Sequence, residues 1–223
     1  MKQFKCRASS LGALMTNGRS KSEPMGETAK TLIRETWIAD NFGRKQVITS
    51  KYMTKGILCE EDGLSLYTQV TGALIVKNET NFNNEWITGT PDIITEDSII
   101  DTKLSWDIWT FAKADLSKEY EWQLRAYMML CDKPKAQLAY CLVNTPNDMI
   151  SDELYRLQYA FVGGDSNPAY DEAAEQVKLN MMFQDIEPKL RLKTFDIERD
   201  FEIEERIKER VELAREYYSQ ITL

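Results

Sequence analysis

The sequence predicts an α+β or mixed-sheet α/β domain. Apolar residues recur at helical spacing in blocks towards both ends of the chain. Between them lie β-branched pairs broken by Gly89, Pro91 and a Glu96-Asp97-Ser98 step, and further on a compact apolar run, Ala136 to Val143. A length of 223 residues favours one domain, and 43% hydrophobic with 29% charged residues suffices for a core and a soluble surface.

Taken in order, Ser9 to Met15 reads as a short capped apolar turn and Thr16 to Gly26 as a basic loop. Glu27 to Phe42 sets Ala29, Leu32, Ile33, Trp37 and Ile38 at helical spacing. A second helix is expected over Tyr52 to Thr71, with Ile57, Leu58, Leu64, Leu66 and Tyr67 as its buried face. Trp86 to Trp106 reads as strands joined by a tight turn, with Glu96 and Asp97 solvated at that turn. Lys118 to Cys131 returns to helical spacing, and Ala136 to Val143 is a buried strand. Helices are expected over Met149 to Phe161 and Ala169 to Asp185, separated by Gly163-Gly164. A strand over Arg191 to Ile197 then leads into a charged helix, Asp200 to Ser219.

The chain has no histidine. That excludes Ser-His-Asp and Cys-His hydrolysis, His-ligated zinc and a His general base. Any chemistry must run on carboxylates, lysine, tyrosine, cysteine or a metal held by oxygens. The four cysteines form no Cys-x-x-Cys pair, so reduced thiols in a cytosolic protein are expected rather than a zinc or iron–sulfur site. No apolar run approaches the roughly 18 residues that span a bilayer, and no apolar segment follows the N-terminus as in a secretory signal.

A net charge of −8 argues at first against a nucleic-acid partner. The charge is uneven, however. Residues 1–59 carry 11 basic and 4 acidic side chains, a net of +7, whereas residues 60–223 carry −15. Such asymmetry points to one surface that meets a polyanion. Lys2, Lys5, Arg7, Arg19, Lys21, Arg44, Lys45, Lys51 and Lys55 are candidates for a phosphate-binding path, against a merely solvated face.

The strand meander holds the chemistry. Residues two apart on a strand share a face, so Asp101 and Lys103 project together, and the tight turn returns Asp92 to the side of Asp101. Two adjacent carboxylates repel unless a cation lies between them, and hard divalent ions prefer such oxygen ligands. A metal there can activate water for phosphodiester hydrolysis, and the lysine can orient or deprotonate that water and neutralise developing charge. No imidazole is needed.

Pro91-Asp92 followed by Asp101-Thr102-Lys103 resembles the PD-(D/E)XK nuclease motif. More narrowly, the chain resembles the phage exonucleases of the lambda exonuclease/YqaJ recombinase family. In that family a helix with a Gly-x-x-x-Glu step adds an acid to the metal site, and Gly56 to Glu60 matches it. Gln123-Leu124-Arg125-Ala126-Tyr127 fits a Gln-x-x-x-Tyr step on the helix after the motif strand. Arg7-Ala8-Ser9-Ser10 resembles an Ala-Ser step near the DNA, and Ile197-Glu198-Arg199-Asp200 the strand end before the final helix. The acid of the second half-motif is Asp101 here, where Glu is commoner. Met149 to Pro188 has no counterpart, which makes 149–188 a candidate helical insertion within a single domain, 1–223.

The resemblance implies an α/β fold of the restriction-endonuclease-like type, a mixed central sheet flanked by helices. It implies a Mg²⁺-dependent DNA exonuclease, with Mn²⁺ as a substitute, resecting duplex ends 5′ to 3′ for single-strand-annealing recombination. Glu60, Asp92, Asp101 and the Thr102 carbonyl would hold one or two metals, and Lys103 would position the water. Gln123 and Tyr127 would support Lys103 or the scissile strand, and Lys2, Arg7, Ser9 and Ser10 would meet the DNA. By the same analogy, Lys2 or Arg7 would receive a terminal 5′-phosphate. The implied partners are a single-strand annealing protein and further copies of the chain in a ring, a trimer by analogy, in the cytoplasm of a bacterial host. Two other classes stay open: a structure- or sequence-specific endonuclease, and a non-catalytic DNA-binding relative. Trp106, Trp109 and Phe111 fit core packing or a partner surface as well as base stacking.

Overall fold

A computed structural model describes residues 3–20 and 23–222. Strand β1 (Cys6–Arg7) runs through a 3₁₀ turn into α1 (Leu11–Leu14), and α2 (Glu27–Phe42) ends where Gly43 adopts a left-handed conformation, φ 64°. The helix expected over Tyr52 to Thr71 is two helices, α3 (Lys51–Leu58) and α4 (Glu60–Thr71). Cys59, at φ −112° and ψ 15°, breaks them apart. The expected buried face is revised with it. Leu64, Leu66 and Tyr67 on α4 are buried, whereas Ile57 and Leu58 on α3 are exposed.

The meander follows as β2 (Phe82–Asn83), β3 (Ile87–Gly89), β4 (Ile93–Ile94) and β5 (Ser98–Leu104). After it come α5 (Ile108–Ala112), α6 (Lys118–Cys131) and β6 (Lys135–Cys141). Helices α7 (Asn147–Gln158) and α8 (Pro168–Leu179) precede β7 (Leu192–Glu198) and α9 (Phe201–Ser219). Side chains set several starts: Ser117 caps α6 by accepting from the Tyr120 amide, and Asp200 caps α9 through the amides of Glu202 and Ile203.

Two sheets result, a small one in the order β1-β3-β2 and a four-stranded one in the order β4-β5-β6-β7. In the larger, β5 pairs parallel with β6, while β4 and β7 run antiparallel at its edges. Alternation along β5 assigns its two faces. Ile99 packs with Leu124 and Met128 of α6 and with Ile207, Val211 and Ala214 of α9. Ile100 packs instead with Leu64 and Tyr67 of α4. Helices therefore cover both faces, a mixed-sheet α/β domain. Asp101 and Lys103 share the face of Ile99, towards α6.

Helices α7 and α8 form a unit over the end of β5, where Trp106 packs with Ile150 and Met181. The four cysteines are unpaired. Among the described residues no helix is long and apolar enough to cross a membrane.

Candidate active site

Ile93 pairs with Ile100, so the register sets Asp92 opposite Asp101. Only two residues of β4 are strand, which leaves the amide of Thr102 without a backbone partner on that side. Asp92 fills the gap: its Oδ2 accepts from the Thr102 amide at 2.7 Å and from the Thr102 hydroxyl at 2.8 Å. A strand residue directs its N–H and C=O to the same edge, so the Thr102 carbonyl also faces the Asp92 side.

Asp101 is 1% exposed. Its Oδ2 forms an ion pair with Lys103 Nζ at 2.6 Å and has no other partner among the described residues. Its Oδ1 accepts from Gln123 Nε2 at 3.2 Å. Burial pushes the Asp101 carboxyl up to about 6 despite the neighbouring ammonium, and the charge of Asp92 adds to the rise. For Lys103 burial acts to lower the proton affinity. The Asp101 carboxylate overrides it and holds the ammonium protonated well above the usual lysine range. That ammonium also lies over the Tyr120 ring, 5.0 Å from its centroid.

From α6, Gln123 donates to both Asp101 and the Tyr127 hydroxyl, the latter at 3.0 Å. Both side chains are buried one turn apart on the same face. Burial, and then the charge of Asp101, pushes the Tyr127 phenol up to about 12, so it stays an O–H.

Glu60 stands apart from this cluster. It opens α4, and its carboxylate meets Lys77 at 2.9 Å, with both side chains about one-third exposed. Lys77 is bridged through its backbone to Ile93, the neighbour of Asp92. Among the described residues no three Asp, Glu or Cys side chains are gathered closely enough to hold an ion. The donors nevertheless suit a hard divalent ion. Asp101 Oδ2 is a buried carboxylate oxygen with no hydrogen bond, a second carboxylate faces it, and the remaining donors are oxygens. The exposed Lys77–Glu60 pair, worth no more than about 1 kcal/mol, would yield Glu60 to such an ion.

Arg7 and Ser9 are exposed and Ser10 half-buried, while Lys2 lies outside the described residues. This segment reaches α6: Gly89 is so close that a Cβ on it would fall 2.8 Å from both Ala8 Cβ and a Tyr127 ring carbon. Lys55, a candidate for the phosphate path, is corrected to a buried position at 1% exposure. Lys21 of the same set lies outside the described residues. Lys51 is engaged with Glu153 at 3.0 Å and sits over the Trp106 ring. Trp106 and Phe111 are core, at 4% and 8% exposure, whereas Trp109 is open at 62%. Glu96 and Asp97 are exposed in the turn. An open cavity of about 630 Å³, lined by Arg125, Glu198, Arg199, Asp200, Phe201 and Glu202, shares no residue with the cluster.

Sequence reasoning missed Lys77, the Thr102 hydroxyl and the Tyr120 ring. Lys77 and Tyr120 lie outside the motif and Thr102 fills its variable position, so each is placed by pairing that only the fold reveals.

No family profile and no curated protein matches the chain. Solved structures do. A phage-related exonuclease from Haemophilus somnus 129PT is 30% identical, with a TM-score of 0.77 over 98% of this chain and 95% of that one. The chain belongs to the lambda exonuclease/YqaJ-like family of PD-(D/E)XK nucleases. This nuclease also shares its fold with the alkaline exonuclease of Laribacter hongkongensis, at 14% identity and a TM-score of 0.64 over 96% of this chain and 88% of that one. The restriction-endonuclease-like fold class expected from the motif is the one observed.

Proposed function

We propose that this nuclease is a Mg²⁺-dependent DNA exonuclease that hydrolyses phosphodiesters from duplex ends, 5′ to 3′, and exposes single strands for annealing recombination. One observation carries the reading. Asp101 and Lys103 meet at 2.6 Å on a strand whose neighbour supplies Asp92, tied to Thr102 between them. Likeness to the phage-related exonuclease along nearly the whole chain supports end-dependent cleavage over internal cleavage.

In this reading Asp92, Asp101, the Thr102 carbonyl and Glu60 hold the divalent ion, with Mn²⁺ able to replace Mg²⁺. When bound, the ion acidifies the attacking water and stabilises charge at the departing oxygen. Lys103 keeps its proton because Asp101 holds it. Held beside Asp101, its ammonium orients water and balances the charge that develops in the transition state. Gln123 fixes the Asp101 carboxylate and presents the Tyr127 hydroxyl, whose proton is free to meet a phosphate oxygen. Arg7, Ser9 and Ser10, which flank the Ala8 that meets Tyr127 at Gly89, would contact the strand end, joined by Lys2. Further copies of the chain in a ring, a trimer by family analogy, would retain the duplex between cuts, and a single-strand annealing protein would take up the product.

Digestion of end-labelled linear duplex beside covalently closed circles, with Mg²⁺ and with chelator, tests this. Loss of label from linear DNA alone, only with the ion, is expected. Nicking of closed circles would favour a structure- or sequence-specific endonuclease, and inert DNA in every lane a non-catalytic DNA-binding relative.

A further inference from the structure

Lys55 is buried on α3, and among the described residues no carboxylate forms an ion pair with its ammonium. It donates instead to two main-chain carbonyls, Ser105 O at 2.7 Å and Trp106 O at 2.9 Å. Thr145 Oγ1 donates to the second of these carbonyls at 3.3 Å, and the Phe183 ring lies 5.7 Å from the ammonium. Burying an ammonium without an anion is costly, and burial lowers its proton affinity to about 8. A methionine or leucine would fill the same space without that cost.

The placement explains the choice. Ser105 and Trp106 directly continue β5, two and three residues beyond Lys103. Lys55 lies five residues before Glu60. On the far side of Glu60, Gly63 closes on the same strand end: a Cβ on it would fall 2.6 Å from Leu104 Cδ2. The α3–α4 junction is thus held to the end of the motif strand on both sides of Glu60, by directed hydrogen bonds before it and close packing after it.

We propose that Lys55 is a positioning residue: its grip on the Ser105 and Trp106 carbonyls holds the α3–α4 junction, which carries Glu60, to the end of the motif strand, so that Glu60 can turn from Lys77 to a divalent ion shared with Asp92 and Asp101. The proposal rests on Glu60 being an ion ligand.

A double-mutant cycle on the full chain tests it, read by calorimetric Mn²⁺ binding at low temperature, with thermal unfolding recorded in parallel. Lys55→Met should weaken Mn²⁺ binding at least fivefold. Glu60→Gln should weaken binding with little change in melting. In the Glu60→Gln background, Lys55→Met should weaken binding no further, because Lys55 acts through Glu60. Should Lys55→Met not fold, Lys55→Gln, which keeps a donor, takes its place in the same cycle. A Lys55 effect on Mn²⁺ affinity of equal size in both backgrounds, or no effect in the native one, would overturn the proposal. If Glu60→Gln left Mn²⁺ affinity unchanged, the reading of Glu60 as a ligand would fail first and the proposal with it.

Discussion

Asp92 is tied to Thr102 twice, its Oδ2 accepting both the amide at 2.7 Å and the hydroxyl at 2.8 Å. One carboxylate oxygen therefore locks the edge strand to the motif strand. Thr102→Val keeps the amide bond and the volume and deletes the hydroxyl bond. A charge-assisted hydrogen bond contributes about 1.5–3 kcal/mol. The expected outcome is a turnover drop of about tenfold on linear duplex and a stability loss of about 1.5–3 kcal/mol by denaturant titration. Unchanged turnover would mean that the amide alone suffices.

Gln123 links Asp101 to Tyr127, and the two ends of the link are unequal. Gln123→Leu leaves Asp101 Oδ1 with no donor inside the protein, a loss of about 1–3 kcal/mol for a buried acceptor. Tyr127→Phe removes only an acceptor for Gln123 and the hydroxyl proposed to meet a phosphate oxygen. Chemical denaturation should therefore place Gln123→Leu well below Tyr127→Phe in stability, with both slower than wild type in single-turnover cleavage.

Crowding at Gly89 couples the N-terminal segment to the site. Gly89→Ala would put a methyl 2.8 Å from Ala8 and from the Tyr127 ring. Overpacking of this kind costs about 1–3 kcal/mol. The variant should melt earlier and cleave more slowly, and Ala8→Gly in the same chain should restore part of both.

Lys55 makes alkaline stability a specific signal. Its folded value, about 8, lies below the ordinary 10.5, through burial opposed by Cys59 and Asp107. Below pH 8 the folded protein carries the full burden of a buried charge. Between pH 8 and 10.5 the folded form sheds its proton while the unfolded chain keeps it, so this group's contribution grows with pH. Measured in a Cys59→Ser background as the difference between Lys55 and Lys55→Met, which cancels the remaining cysteines and the tyrosines, stability should shift towards the Lys55 form by up to about 3 kcal/mol across that window. A flat difference would contradict it.

The legible parts of this fold were those set by neighbours in the chain. Glu27–Phe42 and Lys118–Cys131 ended where spacing said, because Gly43 and Ser117 stop and start them locally. Asp101 and Lys103 were legible together because strand alternation leaves no choice of face. The break at Cys59 was not, since the junction has no proline and its φ and ψ suit any residue. The sequence makes Lys55 a candidate for a phosphate-binding path because charged side chains usually lie at the surface, whereas the carbonyls that hold it inside lie 50 and 51 residues further on. The Lys77–Glu60 pair likewise depends on a backbone bridge to Ile93 that no local pattern encodes.

The central claim is that the Asp92, Asp101 and Lys103 cluster performs the hydrolysis, and Lys103→Met tests it most directly. The variant keeps an unbranched side chain, one atom shorter, and removes the charge. On end-labelled linear duplex with saturating Mg²⁺, its single-turnover rate should fall about 10²–10³-fold, the usual loss on deleting one preorganised charge. Duplex binding measured with Ca²⁺ should stay close to wild type. A rate within threefold of wild type would contradict the assignment and place the chemistry elsewhere in the molecule.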